Sequence, residues 1–364
     1  MTQNKPKILI SSPALTAVSG VSSHVRMLLG SSLAERYELI PFQVGREGRC
    51  ENPLQRLARF LFSPLQLAGL LVWHRPHIVH LNTSMDLKGF WRDLVYLMVA
   101  RLLGRRVVNQ FHSGSGPQSL FSNPLLAFLL KRVLLASSVV AVLSSEAQSL
   151  YKQFDARIAV DWVPNAIDTC GLLDVGRAER SAGEPLKLVY VGRIFRPKGL
   201  FDVLEAVKLL KEQGLKLSLQ IAGLGPDEAA VHASIARLGL EEEVKILGPV
   251  HGEAKNQLWL GSDVHVFPTY HDEGLPYSIL ESLAAGCVPI TCSVAAIPDV
   301  MQNGVQGVFV PPHNPEALAA AIRHFAEHRD ELGRMSLAGR RRIAEQYTVD
   351  RLASRFGEIY ARVS

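Results

Sequence analysis

Two carboxylates eight positions apart, Glu273 and Glu281, bracket the stretch of this sequence best equipped for chemistry. Between them, Gly274 permits close backbone approach and Pro276 is pre-set for a first helical turn, after which apolar residues follow at helical spacing. Gly286 stands where a left-handed C-cap would end that helix, and Val288-Pro289-Ile290-Thr291 reads as the next strand. Glu273 is therefore expected in the loop before the helix, and Glu281 about two turns along it. The first-turn amides, at Tyr277 and Ser278, form an anion site between the two acids. Carboxylates suit sugar or ribose hydroxyls, and a helix N-terminus suits phosphate. Together they describe a pocket for a sugar joined to a nucleotide diphosphate. Most glutamates on helices are solvated surface charges. Here Leu280, Leu283 and Ala284 leave Glu281 little exposed surface, so it needs a partner.

Other loops offer matching chemistry. The strand at 8–12 leads through a loop to Gly20 and a helix, a phosphate-binding arrangement in which Gly20 allows close backbone approach. His112 directly follows a strand at 107–111 and precedes Ser113-Gly114-Ser115-Gly116, a favourable place for a site histidine. His80, inside a strand, reads as a core histidine instead. The strand at 264–268 delivers Glu273 at its C-terminal end, where ligands of open α/β sheets bind.

The elements that position these residues alternate. Strands are expected at 8–12, 38–44, 78–81, 107–111, 139–143 and 158–163, with helices at 54–73, 87–103, 125–136 and 146–154 between them. After an aperiodic 169–185 the alternation resumes, with strands at 186–191, 217–222, 244–247, 264–268, 288–291 and 308–310. Helices are expected at 201–211 and 256–260, then a long one at 315–336, another starting at 340–345, and an amphipathic one at 348–363. Such alternation means parallel sheets covered on both faces.

With its two acids separated by seven residues, the segment Glu273 to Glu281 resembles the motif of the retaining glycosyltransferases of family 4. Arg193 and Lys198-Gly199 are similar to that family's diphosphate-contacting pair, and Gly223-Leu224-Gly225 to its glycine turn under the nucleotide. His112 matches a histidine that contacts the transferred sugar or its phosphate, and Asn165 lies in a similar strand-exit segment. Ser19, Ala166, Ala295 and Ala296 stand where glycines are usual.

The resemblance implies a GT-B fold: two Rossmann-like doubly wound domains facing across a cleft. Its expected divisions are an acceptor-side domain at 1–168, a linker at 169–185, and a nucleotide-sugar domain at 186–347, with the helix at 348–364 returning to the first domain. It also implies roles. Glu281 would hold ribose hydroxyls; Glu273, with the Gly274 and Leu275 amides, would hold the transferred sugar; Ser278 would help hold phosphate. Arg193 and Lys198 would stabilise the leaving diphosphate in place of a metal, and the chain has no Asp-x-Asp sequence. No cofactor is expected beyond the nucleotide-sugar donor, and the acceptor would be a glycan or a lipid-linked sugar. A sugar-nucleotide epimerase and a non-catalytic nucleotide-sugar-binding subunit of a polysaccharide assembly complex are the alternatives.

Composition bounds these readings. With 364 residues, 48% hydrophobic and 20% charged, the chain suits two globular domains. Residues 1–180 hold 20 Lys and Arg against 12 Asp and Glu, while the remainder holds 19 against 22. A basic first half, with the apolar stretch at 121–136 and its Lys131-Arg132 pair, suggests peripheral contact with an anionic inner leaflet. Scattered charge without an aromatic stacking platform argues against nucleic acid. Cys50, Cys170, Cys287 and Cys292 lack metal-ligand spacing and read as reduced thiols of a cytoplasmic protein. The polar 1–7 stretch does not read as a signal peptide, and no apolar run reaches membrane-spanning length.

Overall fold

The computed structural model describes residues 5–17, 19–45, 49–83, 87–113, 117, 123–176, 184–271 and 274–364. Its chain divides into two compact units, Met1–Ala166 with Val349–Ser364, and Ile167–Thr348.

The first unit alternates β1 (Lys7–Ser12), α1 (Gly20–Leu29), α2 (Leu33–Arg36), β2 (Glu38–Gln43), α3 (Pro53–His74) and β3 (Ile78–Thr83). It continues through α4 (Leu87–Leu102), β4 (Arg106–Phe111), α5 (Pro124–Ala136), β5 (Val139–Val142), α6 (Ser145–Phe154) and β6 (Val160–Trp162). All pairings are parallel, in the order β2-β1-β3-β4-β5-β6. Every residue of β3 is buried, as expected of a strand with helices on both faces. Caps fix the helix starts: Asn52 forms a reciprocal capping box with Gln55, and Ser144 accepts from the Ala147 amide at 2.9 Å.

In the second unit β7 (Leu186–Val191) leads through a single 3₁₀ turn (Arg196–Lys198) into α7 (Leu200–Glu212). Then come β8 (Leu217–Ala222), α8 (Glu228–Leu238), β9 (Val244–Gly248), α9 (Gly252–Leu260), β10 (Val264–Phe267) and α10 (Tyr277–Ala285). β11 (Val288–Thr291), α11 (Ile297–Val300), β12 (Val308–Phe309), α12 (Pro315–Glu327) and α13 (Arg329–Gln346) complete it. The sheet is again parallel, ordered β12-β11-β10-β7-β8-β9, so the winding reverses between β10 and β7. The last helix, α14 (Val349–Val363), belongs to the first unit. Its Leu352, Phe356, Ile359 and Tyr360 join Ile8, Val25, Ile78 and Val108 in one core.

Several boundaries differ from the sequence reading. The helix expected at 315–336 stops at Glu327, because His328 (φ −122, ψ 71) leaves helical geometry. A new helix starts at Arg329, with Asp330 and Glu331 in its first turn. Residues 340–345 continue that helix and do not begin another. The β6 and β12 strands are shorter than expected. The segment expected as a linker is described up to 176, and 177–183 lie outside the described residues. The described part is tied down: the Arg340 guanidinium donates to the carbonyls of Leu172, Leu173 and Val175 at 2.7–3.1 Å.

Candidate active site

The switch point between β7 and β10 gathers most of the second unit's expected site residues. Arg193, Lys198 and Gly199 leave β7; Gly274, Leu275 and Ser278 follow β10. Backbone contacts too close for any side chain bind these loops together. A Cβ on Gly199 (φ 79) would lie 2.2 Å from the Pro268 carbonyl oxygen, so the residue ending the 3₁₀ turn must be glycine. The Tyr270 amide donates to the Pro197 carbonyl at 3.0 Å, and the Tyr270 hydroxyl to that of Arg196 at 3.0 Å. The exit of β7 is thereby fixed to that of β10.

The cations lie on this platform. The half-buried Lys198 places its ammonium 5.5 Å over the Phe267 ring, at the end of β10. The exposed Arg193 has its guanidinium 5.6 Å over Phe195. Arg196, between them in sequence, stacks 4.0 Å over Phe201 on α7. On the other side, Gly223 would carry a Cβ 1.9 Å from the Gly192 carbonyl oxygen, and Gly225 one 1.9 Å from that of Ile194. The glycine turn therefore has a packing cause of its own. It lets the β8 exit press against the loop that carries Arg193.

Helix α10 begins at Tyr277, with Pro276 in the N-cap position and not in the first turn; Pro276 provides no capping side chain, and the turn holds no acid. Gly286 (φ 74) ends the helix in the left-handed conformation. Glu273 lies outside the described residues. Glu281 does not point to solvent. Its side chain is 15% exposed, and Lys255 and Trp259 on α9 hold it: Oε1 lies 2.6 Å from Lys255 Nζ, and Oε2 accepts from Trp259 Nε1 at 3.2 Å. A carboxylate offers about four acceptor sites, so capacity remains for hydroxyls. Sequence reading required a partner for Glu281 without naming one. The signal available was Lys255-x-x-x-Trp259, one helical turn apart on α9.

Ala295, at a position where the resemblance carries glycine, has φ 49. Its neighbour Ala296 donates its amide to the Gly274 carbonyl at 3.2 Å, so this strained turn fixes the loop before α10. Ala295→Val should lower stability by about 1–2 kcal/mol or more, since a β-branched residue tolerates positive φ worst, and Ala295→Gly should not. Thermal melting of both variants tests this; equal losses would put the cost elsewhere.

In the first unit, the other switch point lies between β1 and β3. There His112 Nε2 lies 2.8 Å from Asn82 Oδ1, while Asn82 gives its own Nδ2–H to the Ser11 carbonyl at 2.8 Å. Asn82 Oδ1 can only accept, so His112 Nε2 carries the proton. Burial, then the neighbouring His24 and His80, hold the His112 pKa well below 6.5, so its Nδ1 is a bare acceptor at neutral pH. Behind it, the His24 ring is fully buried with both nitrogens lacking a partner, its centroid 5.1 Å from that of His112. His80 is a core histidine, bonded to Tyr360 at 2.7 Å and Gln110 at 3.2 Å. Gly20 is the first residue of α1, capped by Ser19, whose hydroxyl accepts from the Ser22 amide at 3.3 Å. The serine that replaces a glycine thus does the capping. Residues 114–116 lie outside the described residues, and the described ones include no cluster able to hold a metal.

Two parallel, doubly wound six-stranded units define a GT-B fold. Sucrose-phosphate synthase from Thermosynechococcus elongatus superimposes with a TM-score of 0.78 at 17% identity, over 99% of each chain. The Anabaena protein HepE, in complex with UDP-glucose, gives 0.75 at 17% identity over 98% of this chain and 99% of that one. Such identities speak to the fold alone. Residues 176–342 match the family described as glycosyl transferases group 1. WcaL of Salmonella typhimurium, a candidate colanic acid biosynthesis glycosyltransferase, is 31% identical over 180 residues, 47% of this chain and 44% of that one. The amylovoran biosynthesis glycosyltransferase AmsK of Erwinia amylovora is 27% identical over 186 residues, 50% of this chain and 46% of that one. These matches span less than half the length of either relative.

Proposed function

We propose that this chain is a group 1, family-4-type retaining glycosyltransferase that moves a sugar from a nucleotide-diphosphate sugar to a glycan or lipid-linked acceptor in polysaccharide or glycolipid biosynthesis. The observation that carries the reading is the joined pair of loops at the second switch point. One loop carries the Arg193 and Lys198 cations, and the other leads into α10, where Glu281, about one turn along the helix and not the two expected, is held by Lys255 and Trp259.

In this reading the α10 amides and Ser278 take the phosphates and Glu281 takes the ribose hydroxyls. Glu273, with the Gly274 and Leu275 amides, takes the sugar. Negative charge grows on the leaving diphosphate as the glycosidic bond breaks, and Arg193 and Lys198 meet it without reorganisation or a metal. The leaving phosphate accepts the proton of the incoming hydroxyl. His112, neutral with Nδ1 bare, accepts a hydrogen bond from a donor-sugar hydroxyl. In this reading the protein works in the cytoplasm, in peripheral contact with an anionic leaflet that its basic first half would meet. An epimerase would release its products without an acceptor, which product analysis distinguishes.

Calorimetry tests the two acids. Glu281→Gln should weaken uridine diphosphate and intact donor alike, while Glu273→Gln should spare the free nucleotide and lower donor affinity or turnover. The opposite pattern would exchange the roles, and undiminished binding in both would remove them from the site.

A further inference from the structure

The first unit carries an apolar face that its own core does not use. Among the described residues, 14 of 19 large exposed hydrophobics lie on α3, α4 and α5. On α3 only Ser63, Leu67 and Leu71 are buried, with Leu70 packed partly beside them. Leu54, Phe60, Leu61, Leu65 and Trp73 stand more than half exposed, Trp73 at 83%. Solvated helices do not normally present so much apolar surface. The sequence reading placed lipid contact at 121–136. In the structure α5 buries Leu130, Val133 and Leu134, and its Lys131 is paired with Asp155 at 2.7 Å, so α3 and not α5 dominates the exposed face.

Charge identifies the occupant. Neither α3 nor α5 contains an acidic residue, and the one acid of α4, Asp93, is bonded to Arg92 at 2.7 Å. Cations sit at the Trp73 end: Arg75, with Trp73, Val72 and Leu103, lines a cavity of ≈ 630 Å³, and the Arg105 guanidinium reaches the Leu71 carbonyl at 3.4 Å. A second copy of the chain docked on this face would meet the same cations. An anionic, apolar-cored partner satisfies both features. At 22 residues α3 would run about 33 Å, but its Arg56, Arg59, Gln55 and Gln66 keep it from spanning a bilayer.

We propose that α3, flanked by α4, lies in the headgroup plane of an anionic bilayer, its Phe60, Leu61, Leu65 and Trp73 entering the acyl boundary while Arg75 and Arg105 meet lipid phosphates. This rests on the membrane side of the functional reading and names the surface; it is independent of the donor site. An amphipathic helix with aromatic anchors and basic flanks binds by apolar burial plus attraction to anionic lipid.

The test is sedimentation of the full chain with vesicles of phosphatidylglycerol and phosphatidylcholine, with the fluorescence of its tryptophans followed in parallel. Binding, a blue shift on mixing, release at high salt, and at least tenfold weaker binding of the Phe60→Glu, Trp73→Glu double variant are expected. The variant should keep the wild-type melting temperature and affinity for uridine diphosphate. That affinity is read separately, so loss of the donor reading would not be mistaken for loss of this one. Failure of the wild type to bind vesicles overturns the proposal. So would concentration-dependent dimerisation abolished by the same variant, which would make the face a contact between copies.

Discussion

Lys198→Ala should weaken nucleoside diphosphate binding by about 1.5–3 kcal/mol, the range of a charge-assisted contact, and leave monophosphate binding nearly unchanged. In the proposed function only the β-phosphate needs that ammonium. Turnover of a true donor should fall further, by roughly 10²–10³-fold, because the contact strengthens as charge develops on the leaving group. The backbone supports a clean test. The turn carrying Lys198 is held by Gly199 against Pro268 and by the Tyr270 bonds to Pro197 and Arg196, none of which uses the lysine side chain. The variant should therefore stay folded, with a melting temperature lowered at most by the lost side-chain contacts such as that with Phe267. Diphosphate should also bind in the presence of chelator if, as proposed, the cations take the place of a metal. Calorimetry with uridine mono- and diphosphate decides. Equal losses for the two would move Lys198 away from the β-phosphate, and a strict magnesium requirement would count against the metal-free mechanism.

What the sequence made legible was set by period and punctuation. The strand at 78–81 and the left-handed Gly286 were readable because short apolar runs and glycine caps are local signals. The long helix misplaced at 315–336 shows the limit. Its break at His328 is a matter of backbone angles at one residue that has no strong helix-breaking chemistry. In the site, glycine positions and the acid spacing were visible, but partners were not. Lys255 and Trp259 lie 22 or more residues before Glu281 and meet it only because α9 and α10 pack together. The exposed face of α3 was hidden for a similar reason: apolar residues outnumber those its core takes up, and which of them face inward is decided by packing on neighbouring elements.

Acid should destabilise the first unit before the second, because histidines are buried neutral. His24 is shifted from 6.5 down to about 4 by burial, and His80 to about 3 by burial and then by His24; His112 is also lowered. In the second unit His265, stacked 5.3 Å from Phe267 with both nitrogens unpartnered, is lowered to about 3 by burial. Each native pKa lies below its unfolded value, so the unfolded chain takes up the proton first. The stability is complete above pH 6.5 and is lost as pH falls from there towards 4 and 3. At pH 5 the loss is about 2 kcal/mol for each fully buried histidine. His24 and His80 together cost the first unit on the order of 4 kcal/mol before His112 is added, against about 2 for the second, a large share of the 5–15 typical of a domain. Carboxylates held down by cations, such as Asp155 beside Arg157 and Lys131, act in a separate window below about pH 4. Asp202, raised by partial burial, acts in the opposite direction. Hydrogen exchange followed peptide by peptide at pH 7.5 and 5, corrected for intrinsic rates, should show protection falling more in β1, β3 and α14 than in β7 and β8. His24→Phe, which keeps an aromatic ring between His112 and Phe356 but cannot titrate, should remove part of the first unit's acid sensitivity. A melting temperature that does not change between pH 7.5 and 5 would show that these rings are not held neutral in the native state.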